Sequence, residues 1–160
     1  MKIYFGYKKG QVLQALRYHF IAPRLMFIML IAVNVFAFAS LVLYFMKKIS
    51  PMACFIGTFL WIVLMISLLF ILPNMAYRRG KITFQNDFSM DFTDDGFTLG
   101  HENRSNKWPW SALRSFLESP HFFHLYFDNR AFILVPKDGC RDKEEVAELR
   151  QLLKEKVKKR

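Results

Sequence analysis

Acidic residues are missing from the N-terminal half: all 13 Asp and Glu follow Gln85, while 23 Lys and Arg are spread along the chain. The formal charge of +10 leaves nucleic acid, an anionic membrane surface and acidic partners as classes to weigh. Cysteine is scarce. Cys54 and Cys140 lie in unlike segments. They read as free thiols of a reducing compartment, and two cysteines make no metal-site spacing. A Gly-rich phosphate loop, a nucleophile elbow and a Cys–His pairing are all absent from the sequence. His121 and His124 fall on opposite faces of a strand entry, with no ligand at metal spacing; they read as surface or edge histidines. Asp91, Asp94 and Asp95 lack the glutamate and the ligand rhythm of a calcium loop. No catalytic residue, metal or cofactor is therefore expected, and the chain reads as non-enzymatic. The basic residues interleave with no stacking platform, which argues against nucleic acid.

Charge is also missing from two long stretches. Residues 25–46 form a 22-residue run without a charged side chain, and residues 52–72 form a second. As a helix the first would span ~33 Å, enough for a hydrocarbon core of ~30 Å. Residues 47–51 connect them, so the two helices must lie side by side and antiparallel. Ala37-Phe38-Ala39 has the small residues of a signal cleavage site, but the segment before it is too long. Lys2, Lys8, Lys9, Arg17 and Arg24 precede the first run, and Arg78, Arg79 and Lys81 follow the second. Only Lys47 and Lys48 stand between. The positive-inside rule then puts both termini in the cytoplasm of a multi-pass inner-membrane protein. The absence of ionisable groups within the runs argues against a transporter. Asn34 either glues helices together or caps a nearby backbone carbonyl, while Ala53 and Gly57 make a small-xxx-small pair for close helix packing.

The remaining residues alternate. Residues 2–5 have strand character, and residues 11–22 read as a basic amphipathic helix with Val12, Leu13, Leu16 and Phe20 on one face. That helix lies in the headgroup plane, extends the first span or packs on the soluble domain. Phe88, Met90 and Phe92 alternate with polar residues, and Asp94-Asp95-Gly96 reads as a turn with positive-φ chemistry before Phe97 and Leu99. A polar turn at 102–106, short strands at 107–110 and 113–118, and a hairpin of 122–127 with 130–135 about Asp128-Asn129 follow. Both hairpin strands are apolar on both faces and read as central. A helix over 143–158 closes the domain, with Asp142 as N-cap and Val146, Leu149, Leu153 and Val157 on one face.

Two spans, then Phe92-Thr93-Asp94-Asp95-Gly96-Phe97, Trp110-Ser111-Ala112-Leu113, residues 122–127 and Leu134-Val135-Pro136-Lys137, resemble the YcxB-like proteins. The resemblance implies a two-helix hairpin followed by a small pleckstrin-homology-like domain, a bent antiparallel sheet closed by a C-terminal helix. The strand before the first turn is short, so residues 3–5 are candidates to complete the sheet. The expected fold is an α+β membrane protein: an N-terminal segment 1–24, a hairpin 25–77 and a cytoplasmic domain 78–160. Its expected role is a membrane-proximal binding or scaffolding module, with protein interaction or self-association in a membrane complex as the alternative. Arg17, Arg24, Arg78, Arg79, Lys81, Lys154 and Lys158 are candidates to contact anionic lipid headgroups; the C-terminal set, which runs on to Arg160, reads otherwise as a solvated helix end. Trp108 and Trp110 either contact a ligand or interface, or fill the core and an edge. Partners are thus the bilayer, anionic lipid, an unknown protein or a second copy.

Overall fold

The computed structural model describes residues 1–101, 104–128 and 131–159, the side chain of Ile82 excepted. Contacts divide the chain into two units, Leu16–Arg79 and a second that joins Met1–Ala15 to Gly80–Arg160. The boundaries expected after residues 24 and 77 therefore differ from those observed. The start of the chain belongs with the C-terminal unit because its first strand pairs there.

The unit Leu16–Arg79 holds two long apolar helices. Helix α1 (Lys9–Ile21) ends before Pro23, whose fixed φ sits at the N-cap of α2 (Arg24–Phe45). Lys47 takes a left-handed conformation (φ 57°) in the connection. Ser50 then caps α3 (Pro51–Ile66), accepting from the Ala53 N–H at 3.2 Å, with Pro51 at the first helical position. Helix α3 passes through a π-helical turn (Ser67–Ile71) into α4 (Leu72–Arg79), so the second apolar helix runs over Pro51–Arg79, beyond the expected end at 72. Both helices are long and apolar enough to cross a membrane, and most of their apolar side chains are exposed. The core helix of a soluble protein would instead hide such a surface.

The π turn has a local cause. Pro73 lacks the N–H that would bond the Leu69 carbonyl four residues back, and its ring crowds that turn. The wider turn relieves the crowding, with the Leu72 N–H bonding the Ser67 carbonyl.

The other unit contains two antiparallel sheets and a helix. After the single-turn helix α5 (Lys81–Phe84) come β2 (Phe88–Phe92), β3 (Gly96–His101) and β4 (Arg104–Pro109). Strand β1 (Lys2–Phe5) pairs with β2, Lys2 facing Asp91, to give a first sheet of order β1-β2-β3-β4. The second sheet is β5 (Ser115–Glu118), β6 (Phe122–Tyr126) and β7 (Phe132–Pro136), with β6 in the middle. Helix α6 (Lys143–Lys156) follows, its N-cap Asp142 accepting from the Glu145 N–H at 2.7 Å. Ile3, Met90, Phe97, Phe116, Phe123, Leu125 and Val135 meet Leu149 and Leu153 of α6 in one core. Each such side chain contributes about 1.5–3 kcal/mol by leaving water.

Several expectations change. Trp110 is in a 3₁₀ turn (Trp110–Ala112), not a strand, and β4 begins earlier, at Arg104. No described glycine has positive φ. Gly96 opens β3 because the backbone of Trp108 and Pro109 occupies the space a Cβ would take. Strand β7 is an edge, not central, although Val135 and Leu134 are buried. Helix α6 stops at Lys156: Val157 is extended and buried, and the Phe116 N–H donates to the Lys158 carbonyl at 2.9 Å. The tail through Lys159 is thus bridged to β5. Glu102 and Asn103 of the polar turn, Asn129 and Arg130 of the hairpin, and Arg160 of the basic tail lie outside the described residues.

Candidate functional site

Three places concentrate polar chemistry, and the sequence singled out only parts of them. The first lies within the unit of the long helices. Arg17 donates from Nε to the Leu69 carbonyl at 2.8 Å, and its guanidinium stands 5.1 Å from the Phe70 ring centre. In a regular α-helix this carbonyl would accept from residue 73, which as proline has no N–H. A planar cation that bonds one carbonyl and stacks on the next ring fits arginine better than lysine. Arg17 was a headgroup candidate; here its guanidinium is engaged inside the unit. Asn74 bonds the Phe70 carbonyl at 2.7 Å in the same turn.

The other residues named for the membrane region are more dispersed. Asn34 donates to the Leu30 carbonyl of its own helix at 2.8 Å, which is the local cap and not an interhelical bond. Ala53 is exposed, and a Cβ at Gly57 would meet nothing, so the pair makes no close helix contact here. Gly57 instead lines a groove of about 280 Å³ between α2 and α3, together with Ser40, Thr58 and Trp61. Arg24 opens α2, Arg78 and Arg79 close α4, and Lys81 opens α5. Lys154 lies in the last turn of α6, and Lys158 is held by its carbonyl to β5.

A second place clamps α6 to the second sheet. Glu118 of β5 accepts from Lys137 Nζ at 2.6 Å and from Arg150 of α6, with Nη2 at 2.8 Å. Arg150 Nε lies 3.0 Å from the other carboxylate oxygen. The Arg150 hydrogen bonds, aided by Lys137, hold the Glu118 carboxyl far below its ordinary range, at about 2. Lys137 also stands 5.1 Å from the Phe123 ring centre. Both oxygens of the carboxylate are occupied by the protein's own cations, so the trio reads as a structural tie. Ser119 and His124 meet at 3.0 Å nearby. A serine beside a histidine can be a nucleophile and its base. Both are buried, however, and the serine hydroxyl bonds the Phe122 carbonyl at 3.2 Å, so no substrate reaches them. His124 is a buried histidine that packs against Tyr126 and Phe132, each 6.2 Å away between ring centres, which corrects the surface assignment.

The third place is the rim of the first sheet. Trp110 is buried, stacks on Phe92 at 6.2 Å and donates from Nε1 to the Thr93 carbonyl at 3.0 Å. Trp108, on the edge strand β4, is half-buried against Phe97 and Phe127, each 5.6 Å away between ring centres. The two tryptophans thus divide into a core plug and an edge ledge. Every other residue of β4 is exposed.

A family model described as YcxB-like protein matches residues 92–153. The stretch runs from the end of β2 to the last turns of α6, so the resemblance drawn from the sequence is met within the two-sheet unit. No curated protein and no solved structure matches the chain.

Proposed function

We propose that the chain is a non-catalytic integral membrane protein whose two apolar helices form a transmembrane hairpin and whose two-sheet unit is a binding or scaffolding module on the cytoplasmic side. One observation carries this reading. The apolar helices are inserted between β1 and β2, which pair with each other. The soluble unit is therefore tied to both ends of the hairpin, and both ends must lie on the same face of a bilayer. The lysine and arginine distribution favours the cytoplasmic face. A four-stranded sheet, a three-stranded sheet and a closing helix, in that order, support the pleckstrin-homology-like reading of the module. The occupied Glu118 and the closed Ser119–His124 contact favour binding over chemistry. Arg24, Arg78, Arg79 and Lys81 remain candidates for anionic headgroups, each worth ~1 kcal/mol near such a surface.

The test is accessibility labelling of Ser50→Cys and Ser105→Cys in sealed membrane vesicles, with Cys54 and Cys140 replaced. Labelling of position 50 only from outside, and of 105 only from inside, supports the reading. Labelling of 105 from outside overturns the orientation. Labelling of both positions from the same face overturns the transmembrane hairpin.

A further inference from the structure

Two sheets offer four edges, and the chain covers three of them. Strand β1 is met by the turn at Lys137–Gly139: a Cβ added at Gly139 would lie 3.1 Å from Phe5 Cβ and 3.2 Å from the Tyr4 carbonyl oxygen. On β7 the Leu134 carbonyl accepts from the Tyr7 hydroxyl at 2.8 Å. On β5 the Phe116 N–H is taken by the tail at Lys158. Among the described residues nothing pairs with the outer side of β4, the six-residue edge Arg104–Pro109. An uncovered edge is a template for another strand, and proteins ordinarily shield it.

The chemistry of β4 says what would fit. Arg104 and Lys107 are exposed, and no described acid lies within ion-pair distance of either. No acid stands anywhere on the strand, and the whole chain is at +10. A second copy would bring the same positive strand to the same edge. Trp108 and Phe127 form an aromatic ledge on the core-facing side of that edge. Register pairs Thr98 with Lys107 and His101 with Arg104 on the inner neighbour β3, so both cations keep their fixed places along the ladder.

We infer that the free edge of β4 receives an extended, acidic segment of a partner protein, added as a fifth antiparallel strand. Main-chain hydrogen bonds to β4 supply the pairing, and side chains set the choice. Alternation fixes the pattern: an apolar residue opposite Trp108, an acid opposite Lys107 and an acid opposite Arg104. Read along an antiparallel partner, this is apolar, acidic, any, any, acidic. This partner class rests on the binding-module reading above.

The experiment uses the full chain in nanodiscs of neutral lipid, which expose both faces and so do not depend on orientation. The probe is a labelled peptide, Thr-Val-Glu-Thr-Thr-Glu flanked by glycines. Its control replaces the fifth residue, opposite Ser105, with proline, which keeps the charge and removes a ladder donor. Anisotropy at low salt should show saturable binding of the first peptide, with the proline control at least ~10-fold weaker, since each lost ladder bond and the bent strand add up. The double change Arg104→Glu and Lys107→Glu, on exposed positions, should abolish binding while the tryptophan emission of the folded unit is unchanged. Equal binding of the proline peptide would overturn the inference, because attraction to a +10 chain would then suffice. Absence of binding to either peptide would overturn it too. So would an Asn106→Cys variant that cross-links to a second copy in the same nanodiscs, which would assign the edge to self-association.

Discussion

Replacing Glu118 by glutamine should loosen α6 from the second sheet in a manner that pH controls. The carboxyl falls from 4.5 in an open chain to about 2 in the fold. Unscreened, such a drop corresponds to ~3 kcal/mol, since each tenfold is ~1.4 kcal/mol. The side chains remain partly open to water, at 23% for Glu118, 18% for Lys137 and 35% for Arg150, so ~1–2 kcal/mol is the expected share. The folded value is depressed. The contribution is therefore complete above the open-chain value and disappears as pH falls through the folded value. Urea unfolding of the detergent-solubilised chain, followed by tryptophan emission, reads this directly. Trp61→Phe in both chains removes the hairpin signal and leaves Trp108 and Trp110. The Glu118→Gln variant should be weaker by ~1–2 kcal/mol at neutral pH, and the two chains should converge between about pH 4.5 and pH 2. Equal stability at neutral pH, or a gap that persists unchanged at the acid end, refutes the reasoning.

Two further outcomes follow from the packing. Arg17→Ala should destabilise the long-helix unit by ~1–3 kcal/mol, because the Leu69 carbonyl then loses its guanidinium donor. In a Pro73→Ala background the same change should cost ~1 kcal/mol less, since the restored N–H replaces the guanidinium; additive losses in the double-mutant cycle would remove Arg17 from that role. Gly96→Ala should cost ~1–3 kcal/mol in urea unfolding, through collision of the new Cβ with the Trp108 carbonyl and Pro109. A neutral Gly96→Ala would show that β4 moves aside freely.

The long helices were legible because lack of charge over twenty residues is a strong signal. So were β2, β6 and α6, where alternation, an uninterrupted apolar run and the Asp142 cap each spoke locally. The role of Gly96 was not legible: a glycine after two aspartates looks like a turn, and only the cross-strand approach of Trp108 shows why a Cβ is excluded. The place of β1 was half-visible. Ile3 and Phe5 alternate, but their partners Met90 and Phe88 stand across the whole hairpin. Lys137 and Arg150 gave no sign of sharing Glu118, because the three lie on separate elements. Two of the motifs that carried the family resemblance, 92–97 and 110–113, meet in one knot, with Trp110 bonded to Thr93 and stacked on Phe92. They hold the fold together, which is why they announced architecture and no chemistry.

The split of the first sheet around the hairpin has a consequence for biogenesis. The first strand leaves the ribosome long before β2 exists, and Lys2 must wait for Asp91. Its pairing closes a loop that contains both apolar helices. In the transmembrane topology proposed above, a chain that threads only one of them would leave β1 and β2 on opposite faces of the bilayer. The sheet then stays three-stranded, and the pocket left by Ile3 and Phe5 opens the core to water. In that topology, sheet closure would couple completion of the core to the insertion of both helices.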